Sequence, residues 1–141
     1  MAPIIPDGEY WIKNAAFEDL YVDLSGGSTS PNTPIIGWDL HKGTNQKWRI
    51  TTTNGVNQYV IKSAAGDSYI SQADVRIYPP LIAGQAVPLQ WSIEPVGDNL
   101  FRIAFVYANG VITLPSDRRG SQLNLEEWIG ERNQKWMFES A

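Results

Sequence analysis

The chain has 141 residues, 43% hydrophobic and 18% charged, which is enough apolar material for one buried core and too little charge for a disordered tail. A net charge of −4, a pI near 4.9 and no run of Lys or Arg longer than two exclude a nucleic-acid partner and an anionic membrane surface. No apolar stretch reaches the ~20 residues that a membrane helix needs, and the absence of cysteine excludes disulfides and thiolate metal sites.

In chain order, the opening MAPIIPDGEYW has neither a basic segment nor a continuous apolar one, so no signal peptide and a cytoplasmic location are expected. Short alternating segments follow, among them Tyr10-Trp11-Ile12, Tyr59-Val60-Ile61 and Phe101-Arg102-Ile103-Ala104-Phe105, bounded by clusters of Gly, Asn, Asp, Ser and Pro. This pattern predicts about a dozen short strands joined by turns and little or no helix. Trp11, alternating with Tyr10 and Ile12, is expected to face outward.

The chain repeats itself. YWIKNAA at Tyr10, YVIKSAA at Tyr59 and FRIAFVY at Phe101 each open a unit that closes on NQKWRI, PLQWSI or NQKWMF. The closing tryptophans, Trp48, Trp91 and Trp136, are 43 and 45 residues apart. A unit of this length with a strand at each end fits a propeller blade or a trefoil lobe, and the number of units decides between them. Propellers need about four to eight blades. Three repeats, approximately 8–52, 53–96 and 97–141, predict a single all-β domain over 1–141, a β-trefoil of three pseudo-symmetric four-stranded repeats.

Gln46-Lys47-Trp48 and Gln134-Lys135-Trp136 match the Gln-x-Trp motif in full, whereas Leu89-Gln90-Trp91 keeps only its tryptophan. With the layout DGEYWIKN…VDLSGG…IIGWDLH…NQKW, the whole chain resembles the mushroom ricin-B-like β-trefoil lectins. That resemblance implies a sugar site built from an Asp, an aromatic residue about fifteen positions later and an Asn just before the Gln-x-Trp. The first repeat supplies all three in Asp23, Trp38 and Asn45, followed by Gln46.

Chemistry suggests the roles. The Asp23 carboxylate accepts from two vicinal hydroxyls, and Asn45 donates and accepts beside it. Trp38 stacks on the C–H face of a pyranose, and galactose or N-acetylgalactosamine offers the most continuous such face. Gly26 lets the loop approach the ligand, Gln46 braces the site, and His41 is within reach of a second sugar unit. Taken alone, Asp23 reads as a cap for the turn at Ser25-Gly26-Gly27; Trp38, after Gly37 and beside Asp39, stands outside a clean alternating strand and reads as a surface aromatic, with a packed loop tryptophan as the rival. In the third repeat Thr113 stands for Asp23 and Glu126 for Trp38, with Trp128 displaced by two positions. The second repeat has Pro88-Leu89 for the Asn-Gln pair.

One working site is therefore expected, with glycans as partners, avidity from a homodimer and, by analogy with the mushroom lectins, a defensive role. An enzyme is not expected. The carboxylate pairs Glu18-Asp19 and Glu126-Glu127 lie in turns, His41 is the one histidine, and no cofactor or metal site is indicated. The alternative is a serine-protease inhibitor presenting the loop Ser116–Gly120, where Arg118 and Arg119 project from a turn.

Overall fold

The computed structural model describes residues 4–141. Twelve strands run in chain order through these residues. In the first unit they are β1 (Gly8–Asn14), β2 (Leu20–Leu24), β3 (Thr33–Asp39) and β4 (Trp48–Thr52). The second has β5 (Gln58–Ser63), β6 (Tyr69–Gln72), β7 (Ile82–Gln85) and β8 (Trp91–Pro95). The third has β9 (Phe101–Phe105), β10 (Val111–Thr113), β11 (Asn124–Glu126) and β12 (Trp136–Ser140). Three single 3-10 turns, Ser25–Gly27, Thr44–Gln46 and Arg132–Gln134, are the helical segments of the described residues, and none is long and apolar enough to cross a membrane.

The outer strands of each unit close a ring. β1 pairs with β4, β4 with β5, β5 with β8, β8 with β9, β9 with β12, and β12 returns to β1, always antiparallel. Closure into a six-stranded barrel leaves these strands without a free edge. The inner pairs β2–β3, β6–β7 and β10–β11 form three hairpins across one end. They are knitted together by pairing of β3 with β7 and by bridges between Ile36 and Gln122 and between Leu81 and Asn124. This is the β-trefoil that the repeat count predicts.

The three repeat tryptophans are fully buried and share one core with Ile12, Ile50, Ile61, Ile93 and Ile103. A buried indole N–H needs an acceptor, and the same one recurs in each unit. Trp48 donates to Val22 O at 3.0 Å, Trp91 to Ile70 O at 2.9 Å and Trp136 to Ile112 O at 3.0 Å. Each bond ties the closing strand to the hairpin of its own unit, so replacing one of these indoles by Ala costs about 3–5 kcal/mol. Trp11 faces outward, as its alternation predicts, and is partly covered by Lys47 Nζ 5.6 Å from its ring centre.

Candidate functional site

Pairing of β2 with β3 sets Tyr21 opposite Trp38 and Asp23 opposite Ile36. Opposed residues of an antiparallel pair share a face, and so do residues two apart. Asp23, Ile36 and Trp38 therefore project together, while Val22 and Leu24 turn into the core. A pocket of about 290 Å³ opens on that outer face, lined by Asp23, Ser25, Gly26, Ile36, Trp38, His41 and Asn45.

Trp38 is 40% exposed and Asp23 only 3%, an open ring at the rim and a carboxylate at the base. Trp38 is the surface aromatic expected, and only its placement outside a clean strand is corrected. It lies within β3, whose burial alternates residue by residue up to Trp38 itself, so the indole faces outward by strand register. The turn-cap reading of Asp23 also fails, because the 3-10 turn at Ser25–Gly27 has no side-chain cap.

Gln46 holds the pocket together. It is fully buried, and its Nε2 donates to Asp23 Oδ2 at 2.9 Å and to Asp39 O at 2.7 Å. Its Oε1 accepts from the backbone N–H groups of His41 at 2.8 Å and Lys42 at 3.2 Å. All four amide positions are spent on the protein, so Gln46 is a brace and offers nothing to a ligand. Asn45 differs from its expected dual role. Its Nδ2 donates to Asp23 Oδ1 at 3.2 Å and Leu24 O at 3.1 Å, which leaves only Oδ1 as an acceptor for a ligand.

His41 lies with Nε2 3.6 Å from Asp23 Oδ2, while its Nδ1 accepts the Gly43 N–H at 3.1 Å. That bond leaves the ring proton of the neutral form on Nε2, facing the carboxylate. Gly43 has a steric reason: a Cβ there would lie 2.5 Å from His41 Cε1 and 2.8 Å from Asn45 Oδ1. At Gly26 a φ of +64° turns the loop over the pocket, and no atom lies within 4 Å of where a Cβ would stand. Burial raises the Asp23 carboxyl above its ordinary value, partly offset by the Gln46 hydrogen bond and by His41.

A segment distant in sequence completes the rim. Gly37 N–H donates to Ser121 O at 3.0 Å and Gly120 N–H to Gly37 O at 2.9 Å. A Cβ on Gly120 would stand 3.7 Å from the indole Cζ3 of Trp38. Arg119 Nε donates to Asp39 Oδ2 at 2.6 Å, which pulls the Asp39 carboxyl down and the Arg119 guanidinium up from their ordinary values. Of the two arginines expected to project, only Arg118 does so without an ion pair; Arg119 is tied down beside Trp38. The sequence reading missed Ile36, Ser25, Gly43 and the Gly120 contact. Ile36 was within reach of it, because it alternates with Trp38, whereas no local signal announces a contact across the trefoil.

The third repeat keeps the brace and loses the pocket chemistry, and the second, with Pro88-Leu89 for the Asn-Gln pair, loses both. Gln134 reproduces the bonds of Gln46, donating to Glu127 O at 2.8 Å and Thr113 Oγ1 at 3.3 Å and accepting from Ile129 N–H at 2.9 Å. Asn133 donates to Leu114 O at 3.1 Å as Asn45 does to Leu24 O. By register Thr113, Asn124 and Glu126 replace Asp23, Ile36 and Trp38. In the second repeat Ser71, Gln85, Pro88 and Leu89 line the corresponding hollow of about 370 Å³.

The family described as ricin-type beta-trefoil lectin domain-like matches residues 4–76, just over half of the chain. The agglutinin of Rhizoctonia solani is similar at 26% identity and a TM-score of 0.90, over 99% of this chain and 100% of its own. The C-half of the earthworm R-type lectin, solved with GalNAc, is 26% identical with a TM-score of 0.73, over 96% and 100%. The fold also matches the Macrolepiota procera ricin B-like lectin, solved with lactose, at 23% identity and a TM-score of 0.85, over 99% and 100%. The chain belongs to the ricin-type β-trefoil lectin domain-like family, which makes it a carbohydrate-binding lectin.

Proposed function

We propose that this lectin recognises glycans ending in galactose or N-acetylgalactosamine, in the manner of the mushroom ricin-B-like lectins, through one site in its first repeat. The observation that carries the reading is the convergence of a half-open indole, Trp38, with a buried and braced carboxylate, Asp23, on one shallow pocket. The indole takes the apolar face of the sugar ring. Asp23 accepts one hydrogen bond per oxygen, from Asn45 and from Gln46, and its remaining lone pairs accept from vicinal hydroxyls. Asn45 Oδ1 accepts from a third hydroxyl, and His41, whose Nε2 faces Asp23, stands at the pocket wall within reach of a second sugar unit. Gly26 keeps the loop close without filling the pocket.

Support comes from the lactose complex of the Macrolepiota protein and the GalNAc complex of the earthworm lectin, both on this fold. The protein binds without chemistry, and one shallow site gains avidity when two chains associate, so we place it as a homodimer. We further propose a cytoplasmic location, in keeping with the lack of cysteine, and a defensive role by analogy with the mushroom lectins. Titration calorimetry with lactose and with N-acetylgalactosamine tests the site. The wild type is expected to bind with a stoichiometry of one per chain and Asp23→Ala to show no measurable heat of binding. Undiminished binding by Asp23→Ala would remove the site.

A further inference from the structure

The second repeat, poorest in sugar-binding chemistry, carries a different feature. Asp74, Val75, Arg76, Ile77 and Tyr78 are consecutive exposed residues. The run is held firmly at both ends. Asp74 N–H donates to Asn32 Oδ1 at 2.7 Å, and Asn32 Nδ2 donates back to Asp74 Oδ2 at 2.9 Å. Gln85 Nε2 fixes Asn32 Oδ1 at 2.8 Å. On the far side Ala73 N–H bonds Leu81 O at 2.9 Å, and Pro80 O accepts from Leu125 N–H at 2.8 Å.

Between these anchors Val75–Pro79 form no backbone hydrogen bond, and none of them has a positive φ. The loop and the end of β6 bound an open hollow of about 650 Å³. Arg76 has no ion-pair partner among the described residues. The loop Ser116–Gly120 contrasts on each point. There Arg118 N–H bonds Ser116 Oγ, Arg118 O accepts from Ser121 N–H, and Arg119 is paired with Asp39, so its backbone is spent in a turn.

An exposed loop, bent at Asp74–Val75 and at Tyr78–Pro79, that carries free N–H and C=O groups, one unpaired guanidinium and apolar neighbours has a specific complement. The cleft of an arginine-specific serine endopeptidase pairs with substrate main chain as an added strand and offers a carboxylate at the base of its specificity pocket. Val75, Ile77 and Tyr78 supply apolar area on either side of Arg76. Anchored ends lower the ordering cost of binding, which separates an inhibitor from a passing substrate. We propose that the Asp74–Pro80 loop is a substrate-like inhibitory loop for such endopeptidases, with Arg76 entering the specificity pocket. This activity is independent of the sugar site.

Titration of trypsin with a chromogenic substrate as the reporter tests it. The expected result is competitive inhibition that weakens roughly 30-fold or more in Arg76→Ala, the scale of an interface hot spot. Arg76→Lys should retain it, and Arg118→Ala and Arg119→Ala should leave it unchanged. Arg76 has no bonding partner to lose, and unchanged lactose binding by Arg76→Ala would confirm that the variant is folded. Lack of inhibition at stoichiometric excess overturns the proposal. So does equal inhibition by Arg76→Ala, rapid cleavage after Arg76 with loss of inhibition, or a dimer in sedimentation that Tyr78→Ala dissociates while trypsin stays fully active.

Discussion

The first and third lobes are built on the same polar frame and differ in what that frame presents. Gln46 and Gln134 are both buried and make matching bonds to a backbone carbonyl, a backbone N–H and the residue at the base of the hairpin. Asn45 and Asn133 likewise bond the carbonyl at the end of the second strand of their lobe. Yet Asp23 becomes Thr113, Trp38 becomes Glu126, Ile36 becomes Asn124 and His41 becomes Ile129 at the pocket itself. The glutamine of the Gln-x-Trp motif therefore marks the fold. On the proposed reading, binding is set by what stands opposite it on the hairpin.

The sharpest way to break this comparison is to convert one lobe into the other. Asp23→Thr with Trp38→Glu should lower galactoside affinity by about 100-fold or more, since it removes a charge-assisted acceptor and the stacking ring together. Calorimetry reads that loss, and surviving affinity would mean the sugar sits elsewhere. A second test separates frame from function. Gln46→Ala and Gln134→Ala should each cost about 2–4 kcal/mol in urea denaturation, because several buried partners lose their bonds at once. Only Gln46→Ala should also impair binding. Equal impairment by both would contradict the division of labour.

Trp38→Ala is expected to weaken binding about 10- to 100-fold with a change in stability under about 1 kcal/mol, since the ring is open to solvent on one side. Trp128→Ala should leave binding untouched; its ring is engaged with the Arg102 guanidinium 5.0 Å from its centre. The smallest effect is in pH. Burial raises Asp23 above the ordinary 3.8, so the native protein takes up this proton at a higher pH than the unfolded chain does. Binding should fade as pH falls, with a midpoint above 3.8. Through the same window the Asp23 contribution to folding stability should rise rather than fall, because protonation relieves a buried charge. Asp39 runs the other way. Its lowered value means that the stability from its Arg119 pair is present above the ordinary carboxylate value and is lost at lower pH. In Asp23→Asn the gain in stability on acidification attributable to this residue should be absent from a stability titration.

Much of this molecule is legible in its sequence, and the limits have physical causes. The three tryptophans and their opening strands repeat because each lobe must bury the same indole against the same carbonyl, so the trefoil is written three times. Asp23 and Trp38 stand out as a pair through resemblance, yet their shared face depends on a register between β2 and β3 that only the folded hairpin displays. Placing Trp38 outside a clean strand failed at Gly37 and Asp39, turn-forming residues that here occupy strand positions. Gly37 does so because its close neighbour is Leu114 of another lobe, 3.0 Å from where a Cβ would be. Arg119 and Gly120 reach Trp38 from 80 residues away or more, and contacts of that range leave no local pattern.

The central claim is that the first lobe binds sugar through Trp38 and the others do not. Following the indole N–H signals by nuclear magnetic resonance during a lactose titration tests it most directly. Trp48, Trp91 and Trp136 are locked to backbone carbonyls and should stay still, Trp128 should not respond, and Trp38 should shift and saturate. Saturable binding that leaves the Trp38 signal unmoved, or that shifts Trp128 in its place, would contradict the account.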